Sequence, residues 1–439
     1  MDELIQTTTQ PPQANESGTT AGAGPTEGKP FAPHVGVVAF VPDSWKGLWQ
    51  PRHQVLFRLT RYFRVAWVEP LPHWRELLRR TDGPANDIQQ KDLPEGLDVD
   101  ERPLRVPFIH RPRRLGERIL KGHWRRARRR LIRQGCRKII LYLWRPQFVG
   151  ALTALPRDAS CYHIDDEYTF SDEDLPVTDP ERFVLESVDQ VFIHSPELLE
   201  KKGHLNPRTR FVPNGVDHAA FAAPVPEPPD LAGIPGPRMG YAGMLKTQLD
   251  WNLLEGLIRR HPEWSFVFVG AVATQPEMDG ILQALAPRAN VHFLGPKSTA
   301  DLAAYPQHLD VCMMPYRSTD YTRYINPLKL YEYLASGSPV VATRLPAVAP
   351  FEDVVSLVEP HVDAWSRALR QAMGAGGRQL RQARARRYDW DLLVHDVARE
   401  LAELVDPDLA TALPSPSAPT GRPSAQQSSN SSSSSANSA

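Results

Sequence analysis

The chain of 439 residues is short of cysteine, with only Cys136, Cys161 and Cys312, at spacings that form neither disulfide pairs nor a metal-binding pattern. This excludes a disulfide-stabilised scaffold and predicts reduced thiols in a cytoplasmic protein. No apolar run approaches the ~20 residues that span a bilayer, and residues 1–33 lack the basic-then-apolar layout of a signal peptide. Lys plus Arg and Asp plus Glu both number 51, so net charge indicates no class of partner.

The hydrophobic fraction of 41% is sufficient for real cores, and the length predicts two domains with tails. Short apolar strands alternate with helical periodicity, which is typical of α/β domains with parallel sheets. Polar, low-complexity composition predicts disorder at both ends. The predicted organisation is a tail (1–33), a first domain (34–222), a proline-rich linker (223–237), a second domain (238–387), a last helix (388–406) and a second tail (407–439).

The stretch from Asn326 to Thr343 is the most informative part of the chain. Pro327 suits the first turn of a helix, and Gly337 ends that helix before a buried strand. The free N–H groups of a helix start favour an anion, and Lys329 adds a full positive charge there. Glu332, one turn on, would accept hydrogen bonds from hydroxyls. A cation for phosphates and a carboxylate for a ribose predict a nucleotide-sugar site.

Acidic residues follow a predicted strand of the first domain, at Asp165, Asp166 and Glu167. Catalytic groups commonly lie at the carboxyl ends of such strands, and a carboxylate there can take a proton from a hydroxyl. A helix cap or ordinary loop solvation would use the same residues. Arg52 and His53 lie in the loop after the first strand, where they would contact an acceptor or form an ordinary loop.

Residues 102–135 are strongly basic, with Glu117 as the one acidic residue. Leu115, Trp124 and Leu131 are among apolar residues interleaved at helical spacing. A basic amphipathic helix favours an anionic membrane surface, with the apolar residues inserted. A solvated face of a domain helix is the alternative. Nucleic-acid binding is a third interpretation, but no recognition module surrounds the tract, and we expect no nucleic-acid partner.

Several motifs occur together, in an order that resembles the GT-B glycosyltransferases of the group 1 type, and most of all the bacterial enzymes that build exopolysaccharide or cell-surface glycans. The resemblance spans nearly all of residues 34–405 and is most specific in the second half. The motifs are Phe211-Val-Pro-Asn-Gly-Val-Asp217 with Phe221, the glycine loop at 240–243, the strand ending at Gly270, Asn290-Val-His-Phe-Leu-Gly295, and Pro327 to Val341.

The resemblance implies two Rossmann-like domains facing a cleft, with the last helix crossing back to the first domain. The second domain would bind a nucleotide-sugar donor without a metal or other cofactor. Lys329 would hold the diphosphate and Glu332 the ribose, with Gly243 beside the phosphates and Tyr316 beside the base or sugar. Asn326 and Pro327 would complete this donor site at the helix start.

One position departs from the family pattern. Many retaining members carry two glutamates separated by seven residues; Glu332 fits the second, but Tyr324 occupies the position of the first. Asp166 or Asp165 resembles the general base of inverting members that act on lipid-linked sugars. We therefore expect inversion, with a glycan or a lipid-linked sugar as acceptor.

Two other functions fit the same sequence. A nucleotide-sugar epimerase of this fold would work without an acceptor. A non-catalytic binding protein on the same fold would bind nucleotide diphosphates and transfer nothing. A cytoplasmic protein, peripheral at the inner face of the cell membrane through residues 102–135, is the expected location.

Overall fold

The computed structural model describes residues 28–47, 49–71, 93–99, 113–168 and 174–416. Most of the predicted N-terminal tail, residues 102–112 of the basic segment and the last part of the C-terminal tail lie outside these ranges. The described chain forms two α/β halves, each built on one parallel sheet. This confirms the fold class predicted from alternating strands and helices.

The first sheet has seven strands in the order β3-β2-β1-β4-β5-β6-β7. Its centre is β1, whose Val37 pairs with Val65 on one side and Ile140 on the other. Such strands are buried on both faces and therefore read as continuous apolar runs. The strands are β1 Ala32–Phe40, β2 Phe63–Val68, β3 Leu97–Val99, β4 Lys138–Leu143, β5 Ala159–Ile164, β6 Gln190–Ile193 and β7 Thr209–Phe211.

The second sheet has six strands in the order β10-β9-β8-β11-β12-β13. In both sheets the strand order reverses beside the first strand, and ligands bind at such switch points in open parallel sheets. The strands are β8 Arg238–Ala242, β9 Ser265–Val269, β10 Val291–Phe293, β11 Val311–Met314, β12 Val340–Thr343 and β13 Ser356–Val358.

Helices cover the faces of both sheets. In the first half they are α1 Pro51–Leu59, α2 Arg113–Arg133, α3 Val149–Ala154, α4 Asp179–Ser187, α5 Pro196–Lys202 and α6 His218–Ala222, followed by α7 Pro229–Ala232 in the linker. In the second half they are α8 Trp251–Arg260, α9 Pro276–Leu285, α10 Thr299–Leu302, α11 Ala304–Gln307, α12 Asp320–Arg323, α13 Leu328–Ser336, α14 Val362–Ala372, α15 Arg378–Arg386, α16 Trp390–Val405 and α17 Pro407–Ala412.

Helix α16 returns to the first domain, as the resemblance implies. Its Trp390, Val394 and Val397 are buried in the same core cluster as strands β1 and β2. Asp391 accepts a hydrogen bond from Arg58 of α1 at 2.6 Å, and both side chains are about nine-tenths buried. Removing one partner of a buried ion pair leaves an uncompensated charge, so this pair fixes the helix on the first domain.

Two predicted tail boundaries are wrong. The first strand begins at Ala32, inside the N-terminal tail predicted to reach residue 33, because the Ala32 N–H bonds to the Tyr62 carbonyl. At the other end, α17 lies where disorder was predicted to start at residue 407. Asp406 caps this helix and Leu409 is buried in the first-domain core.

Residues 113–133 of the basic tract form helix α2, and part of the apolar side of this helix lies in the domain core. Trp124, Ala127 and Leu131 are buried beneath it, so they are not free to enter a membrane. The predicted insertion is therefore wrong for Trp124 and Leu131, whereas Leu115 and Ile132 are 43% and 42% exposed. The outer face remains basic: Arg118, Arg125 and Arg129 are exposed.

The three cysteines are free and buried, as expected for reduced thiols. In the described ranges, no helix has the length and apolar character needed to cross a bilayer.

Candidate active site

The carboxyl ends of the two sheets supply the predicted site residues. Asp165 and Asp166 follow β5 directly, in the loop that precedes α4. Arg52 lies in the first turn of α1, and Arg145 follows β4 by two residues. The strand order brings the ends of β1, β4 and β5 together, so residues far apart in sequence meet at one edge.

Asp165 is held in an ion-pair network. Arg52 bridges it to Asp43, and Arg145 lies 3.7 Å away on the other carboxylate oxygen. Burial would raise the pKa of this carboxyl, but the charges of Arg52 and Arg145 outweigh burial and hold its pKa below the usual value. A carboxylate stabilised in this way is a poor proton acceptor.

Asp166, the next residue, has the opposite electrostatic balance. Burial, followed by the negative charge of Asp165, raises the pKa of Asp166 to about 6. Its Oδ1 accepts the backbone N–H of Glu167 at 2.9 Å. Lys246 of the second domain is close enough to lower the pKa of Asp166. A base works best when its pKa lies near the operating pH, so Asp166 is the better candidate of the two.

His53 does not fit the predicted contact with an acceptor. The side chain is fully buried among Trp45, Trp49 and Trp67. Its Nδ1 accepts the N–H of Gln50 at 3.0 Å, and burial lowers its pKa to about 4. His53 is therefore a neutral core histidine that shapes the loop after β1, whereas Arg52 reaches the site through Asp165.

Helix α13 begins as the sequence predicts, within one residue. Pro327 is the N-cap with extended backbone angles, and the helix starts at Leu328. Gly337 ends it in the left-handed conformation, with φ of 78°. The N–H of Ser338 bonds to the Tyr333 carbonyl, which completes the termination.

Lys329 and Glu332 lie together on α13, with Nζ and Oε2 2.8 Å apart. The lysine side chain passes the glycine loop after β8: a Cβ on Gly243 would lie 2.5 Å from Cε of Lys329. A Cβ on Gly270 would overlap the carbonyl oxygen of Gly243. Gly270 is therefore required for the close approach of the two loops, and at Gly243 a larger residue would displace the end of the Lys329 side chain. The Gly243 loop and Lys329 form one unit.

Tyr316 follows β11 and borders this unit. It is buried against Tyr241, and burial raises its pKa to about 12, with the charge of Glu332 adding to the effect. Leu249 pairs with Tyr316 as an isolated bridge, which fixes the turn after β11. The predicted neighbours Tyr316, Glu332 and Gly243 are thus brought together.

Asn326 connects the domains. Its Nδ2 donates to the His194 carbonyl at 2.6 Å, and its own carbonyl accepts from Asn214 at 2.6 Å. Its Oδ1 accepts from the Tyr331 hydroxyl at 2.9 Å. Because these groups are occupied in a buried interface, Asn326 supports the start of α13 and does not present them to a donor.

Tyr324 is buried in the core cluster of the first domain. Lys201 lies 4.8 Å from the centre of its ring. The position at which many retaining relatives carry a glutamate is therefore occupied here by a contact between domains.

Three residues of the site were not predicted: Arg145, Lys246 and Tyr321. Arg145 follows a buried strand, so its position at a strand end could have indicated it. Lys246 ends the glycine loop, and burial lowers its pKa. Tyr321 lies in the four-residue helix α12, which carries no periodic signal.

Residues 237–374 match the family model described as glycosyl transferases group 1. The second domain belongs to this family. A curated relative is TuaH of Bacillus subtilis (strain 168), a protein provisionally named as a teichuronic acid biosynthesis glycosyltransferase. It is 31% identical over 197 residues, which cover 43% of this chain and 49% of TuaH. The chain thus spans about half the length of this relative.

Solved structures extend the likeness across both domains. Sucrose-phosphate synthase from Thermosynechococcus elongatus matches with a TM-score of 0.61 and 16% identity, over 84% of this chain and 99% of that one. Anabaena Alr3699/HepE, in complex with UDP and glucose, matches with a TM-score of 0.58 and 14% identity over the same shares. At these identities the likeness shows the fold, which is the GT-B architecture.

Proposed function

We propose that the chain is a glycosyltransferase that moves a sugar from a nucleotide-diphosphate sugar to a glycan or lipid-linked acceptor in polysaccharide or cell-surface glycan biosynthesis. The observation that carries the proposal is the pairing of Lys329 with Glu332 at 2.8 Å on α13, directly against the glycine loop at Gly243. The family match of the second domain, the name of TuaH and the UDP and glucose bound to HepE support it.

In this proposal the donor binds at the start of α13. The diphosphate displaces the Lys329–Glu332 ion pair, so that Lys329 binds phosphate and Glu332 is released to accept hydrogen bonds from the ribose. Gly243 allows the backbone to approach the phosphates, and Tyr316 packs beside the donor. Lys329 and the helix N-terminus stabilise the negative charge of the leaving nucleotide, an electrostatic role that often dominates catalysis. No metal takes part.

The acceptor is activated by Asp166. Its carboxylate takes the hydroxyl proton while the acceptor oxygen forms a bond to the anomeric carbon. The bond from that carbon to the diphosphate oxygen breaks, and the nucleotide leaves with the electron pair. One displacement of this kind inverts the anomeric centre. Asp165, fixed by Arg52, stays ionised and keeps the Asp166 carboxyl basic through like-charge repulsion.

The basic outer face of α2 fits an anionic membrane surface. Exposed arginines there would be attracted to acidic headgroups chiefly by charge, because Trp124, Ala127 and Leu131 of the helix are buried in the core. Such contact would bring a cytoplasmic enzyme to a lipid-linked acceptor at the inner face of the cell membrane.

The test is a thermal-shift screen against UDP, GDP, ADP and TDP, followed by product analysis of the matching nucleotide sugar with and without acceptor. We expect one nucleotide to raise the melting temperature, because a ligand that binds the native state stabilises it. Sugar transfer should require acceptor and survive EDTA. Conversion of the donor without acceptor would identify an epimerase, and binding without turnover a non-catalytic protein.

A further inference from the structure

The turn that carries Asp166 runs from Asp165 to Tyr168, and its first residue is bonded to its last; we call it the Asp166 turn. The Tyr168 hydroxyl accepts the backbone N–H of Asp165 at 3.0 Å. The same hydroxyl donates to Oδ1 of Asp165 at 3.2 Å, and the carbonyl oxygen of His163 lies 3.5 Å from it. A side-chain hydroxyl therefore closes the Asp166 turn, and Asp166 lies between the two joined ends.

The ring of Tyr168 places a second group beside the turn. The guanidinium of Arg145 lies over this ring, 4.1 Å from its centre, and one of its nitrogens lies 3.7 Å from Oδ1 of Asp165. An arginine stacked on an aromatic face keeps its charge, while its plane is restrained by the ring. Tyr168 thus contacts both members of the ion pair between Arg145 and Asp165.

The third residue of the turn is anchored by charge. The Glu167 side chain is 4% exposed, and its Oε1 accepts a hydrogen bond from Nζ of the fully buried Lys202 of α5 at 3.1 Å. Lys202 also donates to Glu181 of α4 at 2.9 Å. Breaking a buried ion pair leaves an uncompensated charge, so Glu167 is fixed to the two helices behind the turn.

Asp166 itself is oriented by a local hydrogen bond. Its Oδ1 accepts the backbone N–H of Glu167 at 2.9 Å. Asp165, Arg145 and Lys246 act on Asp166 through charge, which fixes no direction, whereas a hydrogen bond to one oxygen does. A bond between a side chain and the next backbone N–H depends on the backbone angles of both residues. Those angles are set by the closed turn and by the anchored Glu167.

We propose that Tyr168 is a positioning residue for Asp166: its hydroxyl closes the turn and so keeps the Asp166 carboxylate on the Glu167 N–H, in the orientation that takes a proton from the acceptor. The inference rests on the proposed function, in which Asp166 is the base. A base must lie within hydrogen-bonding reach of the proton that it removes, so its orientation affects the rate. Tyr168 touches neither donor nor acceptor; it acts through Asp166.

The test compares the full chain, labelled with ²H and ¹⁵N, with its Tyr168→Phe variant by NMR. Phe keeps the ring beneath Arg145 and removes only the hydroxyl. In wild type the amide proton of Glu167 should shift as Asp166 ionises, with its midpoint at the pKa of Asp166, about 6. Loss of one hydrogen bond should change the ratio of held to released carboxylate by about fivefold. The amplitude of the Glu167 shift should therefore fall in Tyr168→Phe.

Tyr162→Phe is the matched control. The Tyr162 hydroxyl donates to Glu181 at 3.1 Å, so this variant also removes a hydroxyl that bonds to a carboxylate of the first domain. Glu181 keeps its bond to Lys202, so the anchor of the turn remains. The Glu167 amide should titrate in Tyr162→Phe as it does in wild type. A wild-type Glu167 amide that does not respond to pH, an unchanged amplitude in Tyr168→Phe, or an equal loss in both variants would overturn the proposal.

Sugar transfer separates positioning from a general loss of structure. With the nucleotide sugar whose nucleotide raises the melting temperature, Tyr168→Phe should lower kcat about fivefold and leave KM for the donor unchanged. Tyr162→Phe should match wild type in both constants. A rise in KM without a fall in kcat would contradict positioning. If Tyr168→Phe lowers the Glu167 amplitude while Asp166→Asn transfers sugar at the wild-type rate, the contact within the turn stands and the base of the proposed function fails.

Discussion

The two faces of the cleft hold their charges in different ways. On the second-domain face, Lys329 and Glu332 are three residues apart on one helix and neutralise each other at 2.8 Å. On the first-domain face, Asp165 is neutralised by Arg52, which is 113 residues away, and Asp166 remains as a carboxyl of raised pKa. In the proposed mechanism, Lys329 exchanges Glu332 for a phosphate of the donor. On the other face, Asp166 is kept basic beside Asp165, which Arg52 fixes.

The largest expected effect tests which carboxylate is the base. We expect Asp166→Asn to lower the rate of sugar transfer by about 10²–10⁴-fold, the usual contribution of general base catalysis. Its pKa is raised in the folded state, so ionising it at neutral pH costs stability, and the amide should melt at the same or a higher temperature. Rate assays and thermal melts on the same preparation measure both.

Asp165→Asn should have the opposite effect on stability. Removing one partner of a buried ion pair leaves Arg52 and Arg145 uncompensated, so the free energy of unfolding should fall by about 3–5 kcal/mol. Urea denaturation measures this loss. Because the folded-state pKa of Asp165 is lowered, its stabilising contribution is present above its unfolded pKa and is lost on acidification. An Asp165→Asn variant as stable as wild type would contradict the assignment of a structural role to Asp165 and a catalytic role to Asp166.

The second-domain face is tested by Lys329→Ala. Loss of one charge-assisted contact to the diphosphate should weaken nucleotide binding by about ten- to a hundredfold. Calorimetric titration with the nucleotide found in the thermal-shift screen measures it. Lys297→Ala is the control, since this lysine of the same domain bonds to Asp230 at 2.6 Å and lies outside the proposed site. Equal losses in both variants would contradict the assignment.

The smallest effect concerns the outer face of α2. Arg125→Ser should weaken binding to vesicles that contain phosphatidylserine by about 1 kcal/mol, or about fivefold, and have no effect with neutral vesicles. Arg386→Ser, which changes an exposed arginine of the second domain, should bind as wild type does. Vesicle co-sedimentation at low salt distinguishes the two variants. Equal binding of the wild type to anionic and neutral vesicles would contradict the membrane proposal.

The second-domain face of the cleft was well predicted from the sequence, because the residues that define each of its elements lie close together in the chain. A proline, a glycine and an apolar periodicity define α13, and the glycine loop lies directly after a strand. The strand-end rule also located Asp165 and Asp166. It could not distinguish them, because the pairing with Arg52 depends on how β1 and β5 are placed in the sheet.

Other features depend on tertiary contacts that no local pattern records. His53 follows Arg52 in the chain, but its side chain enters a cluster of tryptophans from two segments, the loop after β1 and strand β2. Tyr324 departs from the family pattern in sequence, and only the structure shows that it docks on Lys201. The apolar residues of α2 have the spacing of a membrane-surface helix and of a core helix alike, and only the structure shows that Trp124 and Leu131 are buried in the core.

The central claim is that Asp166 acts as the base, and the pH dependence of sugar transfer at saturating donor tests it most directly. The base must be ionised, so the rate should fall about tenfold per pH unit as the pH drops below the pKa of Asp166, which is about 6. Asp166→Asn should remove that limb together with most of the rate. A wild-type rate that stays constant between pH 5 and 8 would contradict the account.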